Sequence, residues 1–152
     1  MQDYVRHILT SSVYEVAEET PLDTMPMLSA RLGVDVLLKR EDMQPVFSFK
    51  IRGAHNRIAQ LSPAERARGV ICASAGNHAQ GFAYTCNHFK KRGTVFMPTT
   101  TPQQKIHKTR AFGGAYINVQ LVGDIFDEAY EAAHKFADEE GAFMVPPFDH
   151  PD

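Results

Sequence analysis

Residues 70–98 read VICASAGNHAQGFAYTCNHFKKRGTVFMP, and this stretch decides the fold. VICAS is a short apolar run of the kind found in buried strands. The loop behind it enters a helical pattern, GNHAQGFAYTCNHFKKRG, that is expected to stop at Gly93. TVFMP then reads as a second strand. Strand, crossover helix and strand at this spacing make a βαβ unit, which calls for a parallel sheet.

The same alternation extends downstream. Thr101 is expected to cap a helix with Pro102 at its first position and Gly113 at its end. AYINVQL (115–121) is a strand. Asp124 is expected to cap a further helix in which Phe126, Ala129, Ala133, Phe136 and Ala137 share a face, closed by Gly141. AFMV (142–145) is the last strand. Upstream, residues 4–9 suggest a short amphipathic helix opened near Asp3, and two prolines keep 20–27 extended or turning. Residues 28–32 suggest a helix ending at Gly33, VDVLLK (34–39) a strand, and Ser48 a cap for the helix that starts FKIRGAHNRIAQL and ends near Leu61. Residues 62–69 begin the repeating block. The expected class is α/β, with a parallel sheet and flanking helices.

Composition narrows the function. The chain has 152 residues, 43% of them hydrophobic, which suffices for a sizeable core. A formal net charge of −2 with scattered basic residues argues against a nucleic-acid partner. The start, MQDYVRHILTSSVYEV, lacks the apolar core of a secretory signal, and no run approaches the ~20 residues of a membrane span. Two cysteines, Cys72 and Cys86, suit a reducing, cytoplasmic setting. The seven histidines show no HExxH pair, and there is no CxxC, so no metal site is expected. MVPPFDHPD (144–152) carries no closing helix or strand, as expected of a loop-like tail or of a cut through a longer polypeptide.

Two places could carry chemistry. Lys50 lies just inside an expected helix start, beside Phe49. A helix N-terminus and an apolar neighbour both favour the neutral amine, the form that adds to an aldehyde. An ordinary surface lysine has the same spacing. The second place is Ser74-Ala75-Gly76-Asn77-His78, at the carboxyl end of a strand, where open parallel sheets bind ligands. Gly76 permits a tight turn, and the helix start behind it leaves N–H groups for a carboxylate or phosphate. A plain capped helix would also read this way.

Taken together, three segments resemble the fold-type-II pyridoxal-phosphate enzymes. KREDMQPVFSFKIRGA (39–54) is similar to their cofactor-lysine segment and CASAGNHAQGFA (72–83) to their asparagine loop. MPTTTPQQK (97–105), RAFGGA (110–115) and GDIFDEA (123–129) are similar to the rest of their small domain. SSVYEVAEETPL and QPVFSFK most resemble threonine dehydratases (threonine deaminases) of the biosynthetic kind. The resemblance implies an N-terminal portion of such an enzyme. Residues 1–53 would belong to an incomplete large domain, 54–145 to the small domain, and 146–152 to the return toward the large one.

It also implies roles. Lys50 would hold pyridoxal 5′-phosphate through a Schiff base and later take the substrate α-proton. Phe49 would pack on the ring and Asn77 would bond its 3-oxygen. Ser74, Ala75, Gly76, Asn77 and His78 would hold the substrate carboxylate. L-Threonine would become 2-oxobutanoate and ammonia, as in isoleucine biosynthesis, in a homo-oligomeric full-length form. Arg40 and Arg52 are expected to form ion pairs that shape the loop rather than to react. Serine racemases and dehydratases of the same family are the alternative reading. In racemases a serine before the Gly-Asn pair acts as second base, and TGSFK is the more usual lysine motif. Here Ala75 and QPVFSFK stand instead, which favours elimination. The family's glycine-rich phosphate loop is not found in these 152 residues, so weak cofactor affinity and little turnover, or a catalytically inert fragment, are further expectations.

Overall fold

A computed structural model of the chain describes residues 4–150. Helix α1 spans Tyr4–Thr10, strand β1 Leu22–Thr24, helix α2 Pro26–Leu32 and strand β2 Leu37–Lys39. Strands β1 and β2 pair antiparallel, with Asp23 opposite Leu38. The expected cap at Asp3 lies outside the described residues. Gly33 closes α2 in the left-handed conformation (φ 68°), a geometry glycine adopts without a Cβ clash. The strand expected over 34–39 is confined to its last three residues.

Helix α3 covers Lys50–Gln60 and the five-residue α4 Pro63–Ala67. Ser62 accepts from the Glu65 N–H at 3.2 Å while the Glu65 carboxylate accepts from the Ser62 N–H at 2.7 Å. This capping box fixes the turn that opens the short helix α4. Ser48 is displaced from its expected role. Phe49 occupies the cap position of α3, and the Ser48 hydroxyl accepts the Lys50 N–H at 3.3 Å.

The main sheet follows in βαβ order: β3 Val70–Ala73, α5 Asn77–Phe89, β4 Gly93–Met97, α6 Gln103–Gly113, β5 Ile117–Leu121, α7 Phe126–Glu140 and β6 Phe143–Met144. The strands lie in the order β5-β4-β3-β6, all parallel, with Cys72 opposite Val95 and Val95 opposite Val119. Every residue of β3 is buried. One face of β3 packs Val70 and Cys72 against Ala79, Phe82 and Cys86 of α5 and Ile106 of α6. The other packs Ile71 and Ala73 against Ala129 and Ala133 of α7. The apolar stripe expected on α7 therefore faces the sheet, although Phe126 at its start is only partly covered. Among the described residues no helix is long and apolar enough to cross a membrane.

Several helix ends differ from expectation. Helix α5 stops at Lys90, itself left-handed (φ 54°), and Gly93 instead opens β4. A Cβ on Gly93 would lie 2.5 Å from Cys86 Sγ, so close packing rather than helix termination explains this glycine. Thr101 does not cap α6. Pro102 takes that position one residue before the helix, and the buried Thr101 hydroxyl has no partner among the described residues. Asp124 does not cap α7 either. Ile125 precedes the helix, and the Glu128 carboxylate accepts from the Asp124 N–H at 2.6 Å. The Asp124 carboxylate accepts from the Thr99 hydroxyl, which ties the ends of β4 and β5 together.

A Cβ on Gly113, the last residue of α6, would sit 2.0 Å from Ile117 Cγ1, and the stiff Ile117 side chain cannot rotate away. Gly113→Ala is expected to destabilise the chain by about 1–3 kcal/mol through overpacking, measured by urea unfolding.

Candidate active site

Strand β3 hands the chain to α5 on one face of the sheet, and β6 joins its other edge after α7 has crossed the opposite face. The strand order thus reverses between β3 and β6, and the crevice beyond their carboxyl ends is where such sheets bind ligands. The turn 74–76 leaves β3 there, and Pro146 to Phe148 leave β6 there.

All seven residues singled out in the sequence meet at this point. Phe49, Lys50, Ser74, Ala75, Gly76, Asn77 and His78 line one cleft of about 290 Å3, closed by Lys105, Phe126, Pro147 and Phe148. Lys50 is the first residue of α3 and is half-buried. Its Nζ donates to the Pro147 carbonyl and lies 5.5 Å from the Phe49 ring centre and 5.6 Å from that of Phe148. The Gly76 N–H donates to Ser74 Oγ at 3.3 Å, which draws the turn together. The first N–H groups of α5 follow this turn and have no acceptor within the helix. A larger cavity, about 540 Å3, lies between α1 and α3. Among the described residues its lining holds Arg52, already paired to Glu41, and no lysine or cysteine, so the smaller cleft is the better site.

The loop carrying Lys50 is pinned from behind. Arg52 donates twice to Glu41, from Nε at 2.8 Å and Nη2 at 2.9 Å. Thr20 and the buried Gln44 also donate to that carboxylate, at 2.7 and 3.2 Å. These partners, Arg52 first, hold Glu41 down to about 2. Arg40 pairs with Asp42 and Asp23, both at 2.8 Å. Both arginines therefore shape the loop, as expected. Gln44 was not anticipated. It spans the gap to Glu18, accepting from its N–H and donating to its carbonyl, both at 2.9 Å, and no local pattern marks a buried glutamine. Nor was Phe47, which holds φ at 58°, a region that costs a side chain with a Cβ roughly 1–2 kcal/mol.

A family model described as pyridoxal-phosphate dependent enzyme matches residues 13–152. The chain is 52% identical over 150 residues to threonine dehydratase 1 biosynthetic, chloroplastic, of Solanum lycopersicum, covering 99% of this chain and 24% of that protein. It is 45% identical to L-threonine dehydratase biosynthetic IlvA of Bacillus subtilis, covering 97% and 36% respectively. The chain thus spans about a quarter to a third of the length of these curated relatives. The solved structure of the processed form of threonine deaminase isoform 2 from Solanum lycopersicum superposes with a TM-score of 0.91 at 50% identity, over 97% of this chain and 40% of that one. That of maize serine racemase gives 0.87 at 24% identity, a likeness of fold alone.

His78 makes the site pH-sensitive. It is buried, its Nε2 lies 3.1 Å from the Val145 carbonyl, and burial followed by nearby Lys50 pushes it down to about 4, against an opposing pull from Val145. The neutral ring donates from Nε2 and so ties α5 to the end of β6. Buried His55 is shifted down as well, by burial first and then by His88. A histidine with a depressed value favours the folded state above its ordinary 6.5, and that stability is lost as pH falls toward 4. Urea unfolding at pH 7 and pH 4.5 is expected to show a loss for His78 of about 2–3 kcal/mol, and His78→Asn should flatten the pH dependence by that amount.

Proposed function

The chain belongs to the pyridoxal-phosphate dependent enzyme family, and on that footing we propose that it carries the lysine and the carboxylate-binding turn of a threonine dehydratase, which converts L-threonine to 2-oxobutanoate and ammonia. The observation that carries this reading is the Lys50 amine sharing one cleft with the turn 74–78. The residues fit the cofactor. An amine lies 5.5 and 5.6 Å from two aromatic ring centres, a side-chain amide lines the same cleft, and among the described residues no acidic group lines it to compete for the amine. Lys50, Phe49 and Asn77 would hold pyridoxal 5′-phosphate, which supplies an electron sink for charge left at the substrate α-carbon.

The remaining work falls to the protein. Ser74 Oγ and the N–H groups at the start of α5 orient the carboxylate, where the helix dipole favours negative charge. That grip turns the α-hydrogen toward Lys50 Nζ, which takes the proton. The neutral His78 ring steadies the 145–148 segment behind the amine. Ala75 carries no proton-transferring group, so the face opposite Lys50 has no second base from the turn. Loss of the β-hydroxyl is therefore favoured over return of a proton from the other side, and serine racemisation is the weaker reading.

The reading extends to organisation. Residues 1–53 would form part of a large cofactor domain, 54–145 the small domain and 146–152 the return. The sheet within 54–145 supports this, while α3 bridges the first boundary. Cys72 and Cys86 are free and buried, which suits a reducing compartment, cytoplasmic in this proposal. A homo-oligomeric full-length form belongs to the same proposal.

Pyridoxal 5′-phosphate added to the folded chain is expected to give a visible absorbance band that Lys50→Ala removes. Where the band forms, 2-oxobutanoate release from L-threonine should fall by about 10²–10⁴-fold in that variant. A folded wild type without a band at saturating cofactor overturns cofactor binding by this chain and supports the catalytically inert fragment instead, and D-serine formed from L-serine overturns the choice of elimination.

A further inference from the structure

Gly81 stands in the interior of α5, where glycine costs helix stability relative to alanine. Its surroundings supply a reason. A Cβ built there would lie 3.0 Å from each of three atoms: Lys50 C, Lys50 O and Ile51 N. These are main-chain atoms of the first turn of α3, and they cannot swing aside as a side-chain tip can. Gly53, within α3, differs: a Cβ there meets nothing within 4 Å.

Helix α5 therefore touches both halves of the cleft. Its first residue, Asn77, follows the turn that ends at Gly76, and Gly81 is one turn further along the same face. Thr85, another turn on and fully buried, donates its hydroxyl to the Gly81 carbonyl at 2.9 Å. The separation between the Lys50 main chain and the 74–78 turn is thus set by how closely two helix backbones approach at one residue.

We propose that Gly81 is a positioning residue for Lys50: its missing side chain lets the first turn of α3 seat against α5 so that the amine reaches the cleft. The proposal rests on the reading of Lys50 as the cofactor lysine. Alanine at 81 should raise intrinsic helix propensity yet push α3 outward by a few tenths of an ångström.

The test compares wild type, Gly81→Ala and Gly53→Ala, each checked for folding by circular dichroism. In the cofactor-free proteins, each lysine is methylated with formaldehyde and cyanoborohydride and its rate read by peptide mass spectrometry. Lys50 should change severalfold in Gly81→Ala while the other lysines and the whole Gly53→Ala profile stay put. With pyridoxal 5′-phosphate and borohydride trapping, adduct formation at Lys50 should slow roughly tenfold in Gly81→Ala. A folded Gly81→Ala with unchanged Lys50 labelling overturns the proposal. A wild type that traps nothing at Lys50 overturns the cofactor reading instead, and the labelling comparison still decides the role of Gly81. Should Gly81→Ala not fold, nuclear Overhauser contacts in the wild type decide: strong ones are expected from a Gly81 α-hydrogen to the Ile51 amide, and their absence removes the contact on which the proposal stands.

Discussion

Strand β3 is buried along its whole length, and it has to be covered on both faces. A parallel sheet of this kind exposes no side to water, so helices must lie above and below it. Alpha helices 5 and 6 take one face and α7 the other, and the chain can manage this only by reversing the direction in which it adds strands. The reversal leaves a crevice at the carboxyl end of β3 that no crossover fills. The candidate site follows from that requirement, because the turn 74–76, the start of α5 and the segment after β6 all emerge there.

What turns a crevice into a site is the arrival of α3 from outside the sheet. Lys50 gains its fixed place from two sides. Behind it, the Glu41 carboxylate collects Arg52, Thr20 and Gln44 and holds the loop to the N-terminal segment. In front, the backbone of α3 lies against α5. The apolar cluster of Val16, Ala17, Val46 and Ile51 fills the space between these constraints. An exposed ion pair contributes little, but a bidentate pair with further donors, on a carboxylate that is mostly covered, can hold one geometry against the freedom of a loop. The φ of 58° at Phe47 reflects the same over-determination, since the loop accepts strain at a bulky residue to bring Phe49 and Lys50 round.

The sequence disclosed periodic features and hid cooperative ones. The strands of the parallel sheet, the α7 stripe and the left-handed glycines at 33 and 141 were legible, because each depends on local spacing or on one residue's backbone freedom, whereas β1 was read only as extended or turning. The expected caps at Thr101 and Asp124 failed for different reasons. The ends of β4 and β5 cross-link through Thr99 and Asp124, and that tertiary bond claims the Asp124 carboxylate, whereas Pro102 takes the cap position of α6 and leaves the Thr101 hydroxyl without a partner among the described residues. Gly93 was read as a helix stop because glycine commonly serves as one, whereas packing against Cys86 and Phe82 governs it. The seven residues that line the cleft were picked out from two motifs, yet Gln44 and Gly81 were not. A buried amide bridging residues 26 apart and a backbone contact across helices leave no trace in local pattern.

Fold and chemistry separate at single positions. The crevice, the buried strand and the crossing of α3 over α5 belong to the architecture, and an architecture of this kind supports more than one reaction. Within it, outcome depends on which groups can move a proton and from which side. In the proposed reading Lys50 would supply one amine, and the residue before Gly76 would decide whether the turn adds a hydroxyl or only a methyl group. Ala75 supplies the methyl, which could not return a proton, while Ser74 and the main-chain donors of the turn would still grip a carboxylate. Phe47 carries a parallel lesson, for it stands where the TGSFK form of the motif has glycine and keeps a glycine-like φ while doing so. Selectivity can therefore diverge in this crevice without disturbing the sheet that creates it.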